Sequence, residues 1–269
     1  MMMHSAQIEN ARTSASEYDF RSYFTYLEDK IQNADIAIAN MEYTLAGKPY
    51  TGYPAFSAPE AYASYIAGLG IDVFLTANNH IFDKGGEGAA RTLELYRRLE
   101  ESHGIKVTGL AENEERRNRE TPLVIRRKGI SIALVNFTYG TNTGSGTHWP
   151  KTNYMSDTRL IEEALATASE KADITIALPH WGQEYQLQHS DRQEKAARWL
   201  INNGAELIIG THPHVVQDTS HIQGVQIAYS LGNGVSNMSA ANTQLELMAT
   251  LKVVRRDNGD ISMLPLELT

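Results

Sequence analysis

Short apolar runs alternate with longer amphipathic stretches along most of this 269-residue chain. Strands buried on both faces are apolar throughout, whereas the helices that cover them are apolar on one face only, so the alternation is typical of an α/β fold. The predicted strands are residues 36–39, 73–77, 132–137, 174–178, 207–209 and 225–229, and the predicted helices are residues 23–34, 87–101 and 157–170. Because no linker or internal repeat interrupts the pattern, we expect one domain over residues 1–269.

Three further segments complete this prediction. Residues 244–268 alternate between apolar and polar side chains on both sides of Asp257-Asn258-Gly259-Asp260, a pattern that predicts a closing β-hairpin. The polar stretch 111–120 predicts a loop, and the Gly/Thr/Asn-rich stretch 140–147 predicts a loop that serves as a flap near a site.

Composition limits the chemistry. The formal net charge of -8 argues against a nucleic-acid-binding protein, because that function requires a basic surface. The chain has no cysteine, which leaves imidazole, carboxylate and amide groups as metal ligands. No run of about 18 apolar residues is present, so the sequence predicts no membrane span.

The segment Gly210-Thr211-His212-Pro213-His214 directly follows a predicted strand. Two imidazoles that leave an extended segment two residues apart can bind one metal ion or two neighbouring ions. A pair of surface histidines in a loop is the alternative for this segment taken alone.

Asn78-Asn79-His80-Ile81-Phe82-Asp83 follows a second predicted strand. Asn79 offers an amide oxygen to a metal ion, His80 offers a general acid, and Asp83 is placed to orient a histidine. An asparagine-rich turn with a helix-capping aspartate is the alternative for this segment.

Two more strand ends carry candidate residues. His180, in Pro179-His180-Trp181-Gly182-Gln183-Glu184-Tyr185, is a possible metal ligand, while Glu184 and Tyr185 are candidates for lining the site or binding substrate. Glu42 follows the first predicted strand and is a candidate to bridge two cations. Taken alone, His180 has the alternative of being a structural histidine, and Glu42 that of being a salt-bridged surface glutamate.

All these residues follow the carboxyl ends of predicted strands. In an open α/β sheet those ends lie at one edge, where ligands bind. We therefore predict that four separate strand ends contribute to one site that holds two metal ions.

The motifs around these residues resemble those of the bacterial capsule-synthesis proteins of the poly-gamma-glutamate type, within the calcineurin-like metallophosphoesterase superfamily. The resembling segments are Asn40-Met41-Glu42, Asn78 to Gly85, His180 to Tyr185, Gly210 to Gln217, and Tyr229-Ser230-Leu231-Gly232-Asn233. The resemblance implies a four-layer α/β/β/α sandwich of the metallo-dependent phosphatase type. It also implies a place in the cell envelope, outside the cytoplasm, with capsule synthesis or export proteins as partners.

The same resemblance implies roles for individual residues. Glu42 is expected to bridge two divalent ions of Mn, Zn or Fe, with Asn79, His180, His212 and His214 as further ligands. His80 would act as the general acid beside the metals, and Asp83 would be a second catalytic residue. Asn233 would join Glu184 and Tyr185 in binding substrate.

One departure from the family pattern concerns the first strand. The family has Gly-Asp there, followed by three residues and a histidine, and the aspartate binds metal. His4 matches that histidine, so it is a candidate for the metal site, but the aspartate would fall directly before Met1. We therefore expect the chain to be truncated at its first strand, with the first metal position weakened or empty.

These features support a metal-dependent hydrolase of phosphoester or related bonds, in which the metals activate water and His80 protonates the leaving group. Its substrate would be an anionic polymer or a phosphoester. The alternative is a non-catalytic accessory protein of the capsule apparatus that binds polymer or a partner. A polysaccharide-modifying enzyme is a third, weaker interpretation.

Overall fold

The computed structural model describes residues 1–144 and 148–269. Its α-helices are α1 Ser5–Ala11, α2 Glu28–Gln32, α3 Glu60–Leu69, α4 Gly85–His103, α5 Glu114–Glu120, α6 Thr158–Lys171 and α7 Asp191–Asn202. Its strands are β1 Ile38–Asn40, β2 Val73–Leu75, β3 Lys106–Thr108, β4 Leu110–Ala111, β5 Leu123–Arg127, β6 Ile130–Thr138, β7 Lys151–Thr152, β8 Ile174–His180, β9 Leu207–Ile209, β10 Thr219–Ile222, β11 Val225–Ala228, β12 Ala249–Thr250, β13 Val253–Arg255, β14 Ile261–Met263 and β15 Glu267–Leu268. Helices and strands alternate through most of the chain, so the predicted α/β class is confirmed.

The chain divides into two compact units, the first of which comprises residues 1–120, 137–154 and 235–237. Its three-stranded sheet has the order β1-β2-β3, and both strand pairs are parallel. Helix α3 packs against α4, and α4 contacts β3. Aromatic side chains pack against one another in the core of this unit. The ring centroids of Tyr43 and Tyr62 lie 5.3 Å apart, as do those of Phe74 and Tyr96.

The second unit comprises residues 121–136, 155–234 and 238–269. Its sheet has the order β10-β11-β9-β8-β6-β5, with β11, β9 and β8 parallel to one another and the outer pairs β10-β11 and β6-β5 antiparallel. Strand β8 is buried along its whole length, and α6 packs on it. Strands β13 and β14 form the predicted antiparallel hairpin around residues 257–260.

That residues 1–269 form one domain stays a prediction.

Two sequence predictions were wrong. The predicted helix over residues 23–34 is reduced to a 3-10 helix at Arg21–Tyr23 and the short α2, because Phe24 is drawn against the rings of Tyr62 and Tyr65, at 6.3 and 5.4 Å. The predicted loop over residues 111–120 contains α5. Glutamates occupy the first turn of that helix and arginines its last turn, an arrangement that stabilises a helix through its dipole.

Helices α1, α3 and α7 were not predicted. Ser190 begins α7 with a capping box, in which its hydroxyl accepts a hydrogen bond from the backbone N–H of Gln193 and the Gln193 side chain accepts one from the backbone N–H of Ser190. This pairing has a recognisable sequence signature, serine followed three residues later by glutamine.

No helix in the described part of the chain is long and apolar enough to cross a membrane.

The half-buried side chain of Arg97 links α4 to α5 and to the segment before α5. Arg97 on α4 pairs with Glu100, Glu112 and Glu120 at 2.9, 2.7 and 2.9 Å. Glu120 is only 5% exposed. Its burial raises the pKa of its carboxyl group, and the hydrogen bond from Arg97 opposes that shift. Arg97 contacts all three carboxylates at once, and ionised groups are costly to bury without such a partner.

In the second unit, the backbone at Gly210, directly after β9, lies very close to Trp181 and Tyr229. A Cβ atom at Gly210 would lie 2.2 Å from the carbonyl oxygen of Tyr229 and 2.3 Å from the indole nitrogen of Trp181. That nitrogen donates a hydrogen bond to the same carbonyl, at 3.0 Å. Glycine is therefore required where the chain leaves β9.

The Arg97 network predicts a large loss of stability on its removal. We expect Arg97→Met to lower the free energy of unfolding by roughly 3 kcal/mol, as for removal of one partner of a buried ion pair. The control is Arg98→Met on the same helix, where Arg98 pairs with Glu94 in solvent and should cost less than about 1 kcal/mol. Urea denaturation followed by circular dichroism measures both, and equal losses would contradict the assigned role of Arg97.

The close approach at Gly210 predicts that Gly210→Ala destabilises the protein by about 2 kcal/mol, the typical cost of overpacking. The control is Gly68→Ala, because Gly68 lies within α3 and a Cβ atom there meets nothing within 4 Å. Alanine at that helical position should stabilise by about 0.5–1 kcal/mol. Chemical denaturation that showed the same sign for both changes would refute this interpretation of Gly210.

Candidate metal centre

Two neighbouring strands of the second unit bring their terminal histidines together. Strands β8 and β9 pair in parallel, with Ile176 opposite Leu207. The pairing continues beyond β9, because Thr211 donates to the carbonyl of Pro179 and accepts from the N–H of Trp181, both at 3.0 Å. These bonds extend β8 to His180, past the predicted end of the strand.

The resulting side chains are His180, His212 and His214, which are 0%, 5% and 3% exposed. The ring centroids of His180 and His212 lie 4.8 Å apart, and those of His212 and His214 lie 5.8 Å apart. Histidine is only intermediate in its tendency to be buried, so three such side chains in contact favour a functional cluster over chance placement.

Hydrogen bonds orient two of these rings. Nδ1 of His180 lies 3.0 Å from the hydroxyl of Thr211. Nδ1 of His214 lies 2.9 Å from Oδ1 of Asn233, and that amide oxygen only accepts, so His214 carries its proton on Nδ1. The amide nitrogen of Asn233 in turn donates to the carbonyls of His214 and Thr243, at 3.3 and 3.0 Å. A metal ion would therefore bind Nε2 of both histidines, with the second nitrogen held by the protein as is usual for ligating imidazoles.

The backbone of the loop is unusual. His212, His214 and Tyr185 have φ angles of 105°, 59° and 66°, in the left-handed region that non-glycine residues seldom adopt. Such conformations cluster at functional sites, where the surrounding structure holds them. Here the N–H of Tyr185 donates to the carbonyl of Pro213 at 2.8 Å and ties the two loops together.

Glu184 completes a candidate ligand group in this unit. One ligand atom from each of Glu184, His212 and His214 lies within 4.8 Å of the others. The sequence predicts Glu184 as a substrate-binding residue, and its position beside the two histidines makes it a candidate metal ligand as well. Tyr185 is 45% exposed, and its ring centroid lies 6.5 Å from that of His214.

Buried amides support the loop after Glu184. The amide nitrogen of Gln193 donates to Oε1 of Gln217 at 2.8 Å, and Gln217 donates to the carbonyls of Gln186 and Gln188 at 2.9 and 3.1 Å. Gly182, with φ of 94°, lets the chain pass Gln193, because a Cβ atom there would lie 2.8 Å from the Gln193 amide. This network fixes the segment that carries Glu184.

In the first unit, Glu42 is buried just after β1. Its Oε2 accepts a hydrogen bond from Asn40 at 3.1 Å, and its backbone N–H donates to the carbonyl of Met1 at 2.9 Å. The side chain of Asn78 donates to the carbonyl of Met41 at 2.9 Å and so ties the end of β2 to the segment that follows β1.

Asn79, His80 and Asp83 are also buried in the first unit. Nδ1 of His80 lies 2.7 Å from Oδ2 of Asp83, and the same oxygen accepts from the N–H of Phe56 at 2.8 Å. A carboxylate in this position holds the proton on Nδ1 and stabilises a protonated imidazole. Asp83 is therefore placed to orient the ring of His80.

The predicted flap at residues 140–147 is described only as far as residue 144, and residues 145–147 lie outside the described part. Asn142 packs against the predicted site residues of its unit, because it accepts from the Asn79 amide at 3.3 Å and donates its N–H to the Asn79 carbonyl at 2.8 Å. The hydroxyl of Thr143 donates to the carbonyl of Phe82.

His4 caps α1 and is half-buried. Its ring lies 5.2 Å from the ring of Phe56, which in turn lies 4.7 Å from that of His80. The second unit thus brings together His180, His212, His214, Glu184 and Asn233, and the first brings together Asn79, His80 and Asp83. The metal-binding, catalytic and substrate-binding roles of these residues stay predictions.

Curated relatives carry capsule biosynthesis names. The PGA biosynthesis protein CapA of Bacillus subtilis (strain 168) is 27% identical over 201 residues, which cover 74% of this chain and 52% of that protein. The capsule biosynthesis protein CapA of Bacillus anthracis is 27% identical over 269 residues, which cover 94% of this chain and 62% of that protein. The chain thus spans about half to three fifths of the length of these relatives.

Solved structures share the fold at low identity. A protein of Staphylococcus aureus described as a "Putative 5'-Nucleotidase" matches with a TM-score of 0.60 and 13% identity, over 96% of this chain and 50% of that one. A hypothetical protein from Thermus thermophilus matches with a TM-score of 0.51 and 16% identity, over 92% and 93%. These likenesses agree with the predicted α/β fold.

The comparison with protein families covers most of the chain. The family described as "Bacterial capsule synthesis protein PGA_cap" matches residues 1–238, which include every candidate residue discussed above. Both the strand-end motifs and the curated relatives agree with this match. The chain therefore belongs to the PGA_cap family of bacterial capsule synthesis proteins.

Proposed function

We propose that this chain is a metal-dependent hydrolase of phosphoester or related bonds that acts in the synthesis or export of a capsule polymer. The observation that carries the proposal is the group of Glu184, His212 and His214, with the ring of His180 beside that of His212. Structural histidines rarely gather in this way at the ends of neighbouring parallel strands, where ligands of α/β proteins bind.

The donor set fits a divalent transition metal. Imidazole and carboxylate groups bind Zn, Mn and Fe, and the group contains both. Thr211 and Asn233 hold Nδ1 of His180 and His214, so these rings present Nε2 with little loss of side-chain freedom on binding. Asn233, which is also predicted to bind substrate, contacts His214, and this contact supports a role in positioning that proposed ligand.

Further ligands are proposed on the resemblance to the family. Glu42, Asn79 and His4 are proposed to take part in binding a second ion. Glu42 and Asn79 are buried and have the oxygen donors that such a role needs. Bound divalent ions supply charge stabilisation for a phosphoryl or carbonyl oxygen.

The acid is proposed to be His80. Because Asp83 accepts a hydrogen bond from the Nδ1–H group, a protonated His80 would hold its second proton on Nε2 and donate it to the oxygen of the leaving group. Asp83 stabilises the protonated ring, and Phe56 restricts it by a perpendicular contact at 4.7 Å.

The proposed partners and location are based on the family of the chain. Membership in a capsule synthesis family associates the chain with the cell envelope. We propose an extracytoplasmic location, an anionic polymer or phosphoester as substrate, and capsule synthesis or export proteins as partners. Tyr185, exposed beside His214, is proposed to contact the substrate.

The proposal predicts metal-dependent turnover that requires His212. After treatment with EDTA and reloading with Mn²⁺ or Zn²⁺, the chain should hydrolyse at least one of a phosphomonoester, a phosphodiester and an isopeptide substrate. His212→Ala should lower kcat/KM by roughly 100-fold, because it removes a ligand from the middle of the group. Steady-state kinetics measures both effects.

The matched control is His221→Ala, since His221 is an exposed histidine on β10 of the same unit. It should keep kcat/KM within about twofold of the parent. Absence of metal-dependent turnover on all three substrates, or equal activity of the two variants, would contradict the hydrolase. Polymer binding without any turnover would favour the accessory protein.

A further inference from the structure

One exposed residue covers the buried side chain of Asn79 in the first unit. Asn142 lies in the loop that follows β6, just beyond the end of that strand. It is exposed, whereas Asn79 is only 2% exposed. Because the two side chains are in contact, Asn142 separates at least part of Asn79 from solvent.

Two hydrogen bonds join these residues. The backbone N–H of Asn142 donates to the carbonyl oxygen of Asn79 at 2.8 Å. The side-chain nitrogen of Asn79 donates to Oδ1 of Asn142 at 3.3 Å. The first bond holds the main chain of Asn79 and the second holds its side-chain amide, so the contact specifies more than the path of the loop.

The second bond is important because a side-chain amide has two different ends. Its nitrogen only donates, its oxygen only accepts, and the oxygen is the atom that can bind a cation. The nitrogen of Asn79 is committed to Asn142, so the oxygen is the end that can serve as a ligand. Without an acceptor at position 142, the amide could turn over and present its nitrogen instead.

The side chain of Asn142 is not needed to hold its loop in place. The hydroxyl of Thr143 donates to the carbonyl of Phe82. The hydroxyl oxygens of Thr141 and Tyr154 lie 3.0 Å apart, within hydrogen-bonding distance. These contacts, together with the backbone bond from Asn142, remain when the Asn142 side chain is truncated.

The neighbouring ring of His80 does not compete for the oxygen of Asn142. The amide nitrogen of Asn142 lies 3.2 Å from Nδ1 of His80. Both nitrogens are donors, because the Nδ1–H group of His80 donates to Asp83, and they therefore make no hydrogen bond with each other. The acceptor of Asn142 is used by Asn79.

We propose that Asn142 is a positioning residue for the metal centre, which holds the side-chain amide of Asn79 so that its oxygen serves as a metal ligand. The assignment rests on the proposed function, in which Asn79 takes part in binding an ion, but it does not require turnover. Removal of a group that orients a metal ligand through a hydrogen bond commonly weakens metal binding by about 10- to 100-fold. Asn142 itself is not proposed as a ligand.

The test is isothermal titration calorimetry of Mn²⁺ into the full chain after treatment with EDTA and dialysis. Asn142→Ala should weaken one Mn²⁺ site by about tenfold, because the Asn79 amide loses the acceptor that holds it. Asn142→Asp keeps an acceptor oxygen for that amide and should bind Mn²⁺ at least as tightly as the parent chain. The matched control Asn10→Ala removes an exposed asparagine on α1 and should change the affinity less than about twofold.

A double-mutant cycle separates positioning of Asn79 from a general loosening of the loop. Asn79→Ala alone should weaken the same Mn²⁺ site. Adding Asn142→Ala to that variant should weaken binding less than about twofold further, since no amide is left to position. Circular dichroism and the melting temperature establish that the variants are folded.

Four outcomes would overturn the assignment. They are an unchanged Mn²⁺ affinity in Asn142→Ala, an equal loss in Asn142→Ala and Asn142→Asp, an equal loss from Asn142→Ala with and without Asn79→Ala, and the lack of any Mn²⁺ site that Asn79→Ala weakens.

The outcomes also separate this role from the proposed hydrolase. A Mn²⁺ site that depends on Asn142 through Asn79, in a chain without any turnover, would keep the positioning role and remove the hydrolase. Metal-dependent turnover by a chain whose Mn²⁺ affinity is unchanged by Asn142→Ala would do the reverse.

Discussion

The parallel pairing of β8 with β9 is the interaction on which the candidate metal centre depends. It continues beyond β9 through the two backbone hydrogen bonds of Thr211 and so brings His180 beside His212. A slip of one residue in this register would turn one of the two histidines to the opposite face of the sheet. Gly210 protects the register, because only a residue without a side chain fits between Trp181 and the end of β11.

Several contacts outside these strands hold the loop that carries His212 and His214. His212 and His214 have positive φ angles, which cost free energy in a non-glycine residue. The cost is offset by the contacts of His214 with Asn233, by the bond from Tyr185 to Pro213 and by the buried pair Gln193 and Gln217. Such preorganisation is what a metal site requires, since ligands held in place lose little freedom when an ion binds.

The sequence predicted β1, β2, β6, β8, β9 and β11 but not β3, β5 or β10, and not how the strands pair. Branched apolar residues identified β9 correctly, and the pattern around residues 257–260 identified the final hairpin. Glu184 could not be recognised as a candidate ligand, because its place beside His212 depends on a tertiary loop fixed by Gln217. The helix predicted over residues 23–34 failed for a similar reason, since the packing of Phe24 on distant tyrosines outweighed local periodicity.

The most direct test of the account is crystallography of the chain grown with Mn²⁺ or Zn²⁺, with data collected at the absorption edge of the metal. We expect an anomalous peak about 2.0–2.2 Å from nitrogen atoms of His212 and His214 and from an oxygen of Glu184. The contact between Nδ1 of His214 and Asn233 should persist, so that the metal binds Nε2. An ordered loop with no anomalous peak at these three residues, at saturating metal, would contradict the central claim.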